Sequence, residues 1–260
     1  MRVVVTRPAA QGQRLVCELR SLGAEAVALP LIEIAGPADP QAVRRAWAEL
    51  PQVAFAMFVS ANAVEQFFAA RPVLSGWPAE VLAGSSGPGT TAALLAAGVQ
   101  RSQVLDPGAQ GPFDTDTLWE RRLYARDWTG KRVLVVRGEH GRDWLAEQLR
   151  AAGARLQFLA AYRRLVPVPD DAMRGVLAAA LAQPQAHCWH FSSSEAIANL
   201  AMICPSFDPS GSRALVTHPR IAVRARELGF GRVEEVGLHA QDVVRALIGA
   251  EESGGPDPHR

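Results

Sequence analysis

Lysine is almost missing from this chain of 260 residues: Lys131 is the only one, and every other basic residue but histidine is arginine. Acidic and basic residues nearly balance, for a formal net charge of +1. No nucleic-acid or anionic-membrane partner is expected at that charge. Cysteine is scarce too. Cys17, Cys188 and Cys204 show neither CxxC nor Cys/His ligand spacing, and an odd count argues against a disulfide framework. Cys17 and Cys188 fall in apolar patterns and are expected to be small buried hydrophobes. No apolar run reaches spanning length, and the first residues, Met-Arg-Val-Val-Val-Thr-Arg-Pro, have no signal-peptide core. The expected location is cytoplasmic.

Chemical motifs are sparse as well. The six histidines show no i, i+4 pairing, so no metal site is expected. Gly84, Gly87 and Gly89 fit neither the dinucleotide fingerprint nor the P-loop with its lysine. No Ser/His/Asp or Cys/His set is visible from spacing. His187 and His190 flank a strand and read as structural.

What is present is a repeat. Arg132-Val-Leu-Val-Val-Arg-Gly138 restates Arg2-Val-Val-Val-Thr-Arg-Pro8, and Leu15, Leu19, Gly23 and Ala24 meet Leu145, Leu149, Gly153 and Ala154 at an offset of 130. The Pro-rich punctuation Gly36–Pro40 recurs as Pro167–Asp170. The chain is therefore two similar halves of ~130 residues each.

Short β-branched runs alternate with helical periodicity along both halves. Expected strands include Val3–Val5, Ala26–Ile34, Ala54–Val59, Glu80–Ala83, Val133–Val136, Leu156–Tyr162, His187–Phe191 and Ala214–Val216. Expected helices include one from Pro40, capped by Asp39, and others over Thr115–Tyr124, Asp143–Ala152, Asp171–Leu181 and Gln241–Ile248. The stretch 251–260 reads as a disordered tail. Alternating strands and helices imply parallel sheets covered on both faces, with every strand-to-helix loop at one edge.

Three loop pairs match at that edge: Thr6-Arg7-Pro8 with Val136-Arg137-Gly138, Ser60-Ala61-Asn62-Ala63 with Ser193-Ser194-Glu195-Ala196, and Gly87–Thr90 with His218–Ile221. Each puts small or hydroxyl residues just before a helix, where unpaired N–H groups and the helix dipole favour anions. Two such edges across a cleft would hold one large polyanion. Taken singly, each loop is better explained by ordinary helix capping, and Tyr162 by core packing with a satisfied hydroxyl.

The ordered set of motifs resembles the uroporphyrinogen-III synthase family. It comprises Val5-Thr-Arg-Pro8, Pro30-Leu-Ile-Glu-Ile34, Phe58–Val64, Gly87–Gly98, Val136-Arg-Gly138 with Gly141-Arg142, Ala161-Tyr162, Phe191–Ser194 and Pro219–Gly229. The resemblance implies two flavodoxin-like parallel α/β domains joined by a two-strand hinge. Domain one would be 1–35 plus 170–248 and domain two 43–160, with connectors 36–42 and 161–169. It implies cyclisation of hydroxymethylbilane to uroporphyrinogen III with loss of water and inversion of ring D, through an azafulvene and a spiro intermediate, with no cofactor or metal. The substrate would be a linear tetrapyrrole octacarboxylate, received by a monomer in transient hand-over from the upstream deaminase.

Carried onto this sequence, the resemblance makes Tyr162 the group assisting hydroxyl departure and Thr90 a cleft threonine. The expected substrate-binding set is Thr6, Arg7, Ser60, Ala61, Asn62, Thr90, Arg137, Gly138, Ser192, Ser193, Ser194, Pro219, Arg220 and Ile221. The second family threonine is absent, because His218-Pro-Arg-Ile221 stands where Gly-Pro-x-Thr is usual. The competing reading is a non-catalytic module that senses a small polyanion in the same cleft.

Overall fold

Arg2–Val5 forms strand β1, its three valines wholly buried. The computed structural model describes residues 1–73, 75–139 and 144–252, so Gly141, Arg142, Asp143 and the stretch 253–260 lie outside the described residues. Helix α1 (Ala9–Ser21) turns Leu15, Val16 and Leu19 into the core. Cys17, expected to be buried, is exposed on its opposite face. The helix ends at Gly23 (φ +86°), where Gly23 N–H donates to Arg20 and Ala24 N–H to Leu19. That closure needs a left-handed residue, which glycine supplies without strain.

β2 (Ala26–Ala28) pairs in parallel with β1. The expected strand Ala26–Ile34 is in fact two, because β3 (Glu33–Ala35) belongs to the other sheet. Pro30 lies between them and has no N–H to give a ladder.

The middle of the chain continues with α2 (Pro40–Glu49), β4 (Phe55–Phe58), α3 (Ala61–Ala69), β5 (Leu82–Ser85), α4 (Pro88–Ala96) and β6 (Val104–Leu105). Then come α5 (Thr115–Leu118), prolonged by a wider π turn over Trp119–Leu123, β7 (Arg132–Gly138), α6 (Trp144–Ala151) and β8 (Arg155–Leu165). Asp39 caps α2 as expected, accepting from Gln41 and Ala42 N–H, and Asp170 repeats this by accepting from Met173 N–H. The chain closes with α7 (Asp171–Ala182), β9 (His187–Phe191), α8 (Ser194–Ile203), β10 (Arg213–Val216), α9 (Pro219–Leu228), β11 (Arg232–Glu235) and α10 (Ala240–Glu252). β11 has no apolar run to announce it and forms the polar edge of its sheet. α10 continues through Glu252, so the first two residues of the expected tail are helical.

Two compact units result, one of Met1–Glu33 with Leu165–Arg260 and one of Ile34–Arg164. The first holds a sheet in the order β11-β10-β9-β1-β2, and the second holds β3-β8-β7-β4-β5-β6. Renumbered from the opening strand of each repeat copy, β1 or β7, both contain the flavodoxin order 2-1-3-4-5. The order reverses between β1 and β9 in one unit and between β7 and β4 in the other. Those neighbours, like β7 with β8 and β9 with β10, run parallel, so their carboxyl ends lie at one edge.

Each sheet is covered on both faces. In the first unit, Val3, Val5, Cys188 and Leu215 pack with Leu15, Val16 and Leu19 of α1 and with Ala240 and Val243 of α10. On the other face Trp189, Phe191, Phe207 and Phe230 form a ring cluster with centroids 5.2–6.1 Å apart. In the second unit, Trp47 stacks on Phe67 at 4.6 Å beneath Phe58, while Phe55 meets Trp128 across the sheet's other core.

Candidate active site

The best-defined constellation lies at the carboxyl edge of the second unit. Ser60 lies just beyond β4 and caps α3, its Oγ accepting from Ala63 N–H at 3.2 Å. Tyr162 lies on β8, and its hydroxyl is 3.2 Å from that same Oγ. Between them in the sheet runs β7, ending in Arg137 and Gly138. Gly138 leaves room for the phenol, since a Cβ there would lie 3.1 Å from Tyr162 Cζ. Tyr162 belongs to the unit's core and is 3 % exposed, whereas Ser60 is half-buried. The phenol therefore reaches the edge through the serine.

Arg137 extends over the Phe158 ring, 4.6 Å from guanidinium carbon to centroid. Ala61 and Asn62 occupy the first turn of α3, with Asn62 buried. Thr90 sits in the first turn of α4 and is buried, its N–H donating to Gly87. Beside it, Thr91 Oγ1 lies 3.0 Å from Ser85 Oγ and 3.3 Å from the Asp106 carboxylate, which also takes Arg101 at 2.9 Å. Spacing gave no hint of that cluster, because its members come from separate elements.

The first unit arranges its edge differently. Thr6 is buried and donates through Oγ1 to the His190 carbonyl at 2.8 Å, tying β1 to β9. Arg7 is half-buried just beyond it, and burial holds its guanidinium below the usual arginine range. Ser193 caps α8 by accepting from Glu195 N–H, flanked by half-buried Ser192 and Ser194. His218 caps α9 through Nδ1, which accepts from Arg220 N–H at 3.1 Å. Pro219 and Arg220 are exposed, while Ile221 is buried with its N–H on the His218 carbonyl. Ile221 is thus the positional twin of Thr90, third in its helix and bonded to its own N-cap. Histidine does the capping work that a glycine leaves undone at Gly87, and isoleucine replaces a hydroxyl with core packing.

Within each unit the expected residues do gather at one edge. Ser60 and Ser193 are both genuine helix caps, as capping alone would have it. No group of His, Cys, Asp and Glu among the described residues could hold a metal ion. Nor, among the described residues, is any helix long and apolar enough to cross a membrane.

These features define a doubly wound α/β protein of two flavodoxin-order sheets, with hydroxyl, guanidinium and main-chain groups collected at the switch points of both. A family model described as uroporphyrinogen-III synthase HemD matches residues 13–237, and the chain belongs to that family. It is 29 % identical to the uroporphyrinogen-III synthase of Salmonella typhimurium, covering 95 % of this chain and all of the relative. It is 28 % identical to that of Synechococcus elongatus, over 89 % of this chain and 88 % of the relative. Among solved structures it resembles uroporphyrinogen III synthases from Thermus thermophilus (17 % identity, TM-score 0.57, covering 97 % of this chain and 99 % of that one) and Helicobacter pylori (13 %, 0.58, 96 % and 100 %). At these identities the structural likeness speaks for the fold.

Proposed function

We propose that the chain cyclises hydroxymethylbilane to uroporphyrinogen III, losing water and inverting ring D, with neither metal nor cofactor. The observation that carries this reading is the Ser60–Tyr162 pair, 3.2 Å apart at the edge of a family-matched fold. A hydroxyl offers one proton and two lone pairs. Ser60 Oγ can accept from Ala63 N–H and from the phenol while its own proton points outward. In the reaction, the substrate's pyrrole nitrogen expels hydroxide, which takes the Ser60 proton and leaves as water. Tyr162 replaces the serine proton. The loan is returned when the ring carbon that closes the macrocycle loses its own hydrogen.

The rest of the task is positioning a flexible chain so that ring D closes inverted. Thr6, Arg7, Ala61, Asn62, Thr90, Arg137, Gly138, Ser192, Ser193, Ser194, Pro219, Arg220 and Ile221 are assigned to substrate binding, largely through main-chain donors and the two arginines. Eight carboxylates on the substrate suit such a distributed set of donors. The same reading has the protein acting as a cytoplasmic monomer that takes its unstable substrate in hand-over from the upstream deaminase.

The test is a coupled assay in which hydroxymethylbilane is generated in situ and the oxidised products are resolved by chromatography. A type III isomer yield that rises with protein concentration is the expected result. Type I alone, from a folded sample, would overturn the reading.

A further inference from the structure

At the switch point of the first unit, three buried polar atoms lack partners. Among the described residues, neither ring nitrogen of His190 has a hydrogen-bond partner, nor does Arg7 Nε. His190 is wholly buried, directly opposite Val5 on the neighbouring strand, on the face covered by α1 and α10. Arg7 follows Thr6 at the end of β1 and leads into α1. An orphaned buried polar group costs ~1–3 kcal/mol, so each instance calls for a physical reason.

The repeat shows that the fold does not need this histidine. Val5 corresponds to Val135 at the offset of 130. The strand partner of Val5 is His190, and that of Val135 is Met57. Met57 is also buried, with 1 % exposure. One copy of the repeat thus fills the position with an apolar side chain, while the other keeps an imidazole with nothing to bond. The mouth of α1 is open besides: its N-cap, Pro8, contributes no side-chain bond, and its first turn carries no acid. The positive end of a thirteen-residue helix therefore lies beside a guanidinium whose Nε has no partner.

We infer that the mouth of α1 is a carboxylate subsite in which Arg7 is the ligand group and His190 is the positioning residue behind it. When a carboxylate draws the guanidinium to the helix mouth, Arg7 Nε–H donates to the bare nitrogen of His190, and the two orphans satisfy each other. Burial, and then the charge of Arg7, push the His190 pKa down to about 3, so the ring is neutral and keeps the lone pair this bond requires. An Arg–carboxylate contact held from behind in this way is charge-assisted and fixed in direction. The inference rests on the octacarboxylate reading above and names one of its carboxylate-binding positions.

The test compares wild type with His190→Met, His190→Gln, Arg7→Ala and the double variant Arg7→Ala/His190→Met, in thermal melts and in the type III assay. His190→Met installs the residue that the other repeat copy uses, so its melting temperature should equal or exceed that of wild type. Its KM should rise about tenfold with little change in kcat, the loss expected of one charge-assisted hydrogen bond. His190→Gln, which retains an acceptor, should recover most of that loss. The double variant should be no worse than Arg7→Ala, because His190 acts through Arg7. A stable His190→Met with wild-type KM would make the histidine a structural remnant and overturn the inference, as would additive losses in the double variant. If His190→Met fails to fold, ¹⁵N spectra of wild type titrated with uroporphyrin decide: the His190 ring and Arg7 Nε resonances must move together, and unmoved signals refute the pairing. Wild type that makes no type III isomer would instead refute the functional reading, before any variant is compared.

Discussion

Ser60 Oγ and the Tyr162 hydroxyl, contributed by residues 102 positions apart, stand 3.2 Å from each other at the carboxyl edge of one sheet. The serine is also a helix cap, so the same oxygen fixes α3 and anchors the phenol. Tyr162→Phe removes only the hydroxyl and should keep the fold while lowering kcat by about 10²-fold, the usual worth of a positioned proton donor. Ser60→Ala should lower kcat comparably and also cost ~1 kcal/mol of stability through the lost cap. Isomer-resolved turnover with a parallel melt checks both. Wild-type turnover in Tyr162→Phe would remove the phenol from the proton path.

Gly138 is the residue that lets Tyr162 sit where it does. An added Cβ would meet the ring at 3.1 and 3.2 Å and the hydroxyl oxygen at 3.4 Å. Gly138→Ala should therefore tilt the phenol away from Ser60 rather than unfold the strand. A fall in kcat of about tenfold is expected, since small misplacements at a reacting centre are costly. An unchanged kcat would show that the ring yields without moving its hydroxyl.

Thr90 and Ile221 occupy the same position in the first turns of α4 and α9, and both are buried. Thr90→Ala should change kcat/KM by less than tenfold, because one neutral hydrogen bond is worth ~1 kcal/mol. A loss of several orders of magnitude would assign Thr90 a charge-stabilising role in place of a binding one. Ile221→Thr should lower the melting temperature, since it places a hydroxyl against the core packing that surrounds the isoleucine. A melt at the wild-type temperature would mean that this hydroxyl finds a partner in the first turn of α9.

Gly84 explains part of the glycine-rich stretch that fits no nucleotide fingerprint. It lies on β5 beside Met57 of β4, and a Cβ there would come within 2.2 Å of Phe55 Cζ and 2.8 Å of Met57 Sδ. Gly84→Ala should destabilise the protein by about 1–3 kcal/mol, as overpacking of a dense core does. Denaturant titration measures it, and a change within error would show that Phe55 can swing aside.

Much of the edge was legible because capping and turn chemistry are local. Asp39, Ser60 and Ser193 act as caps where their sequence neighbours place them, and Gly23, Gly98, Gly153 and Gly229 take the positive φ that their helix ends require. The polar strand β11 was not legible, since Arg232-Val-Glu-Glu235 owes its conformation to pairing with β10. Nor was the break between β2 and β3, which share one apolar stretch but bond to different sheets. His190 read as a structural histidine flanking a strand; it lies within β9, and only its missing partners set it apart.

The amino-acid sequence by itself determined the repeat, the alternation of strands and helices, and the residues standing at each strand-to-helix turn. These depend on periodicity, β-branching and side-chain-to-backbone bonds that span a few residues. Tertiary structure alone decided that β7 lies between β4 and β8, so that Ser60, Gly138 and Tyr162 converge, and that β9 lies beside β1, so that His190 faces Val5 near Arg7. Strand order is settled by long-range burial and hydrogen bonding, which no short window of sequence contains.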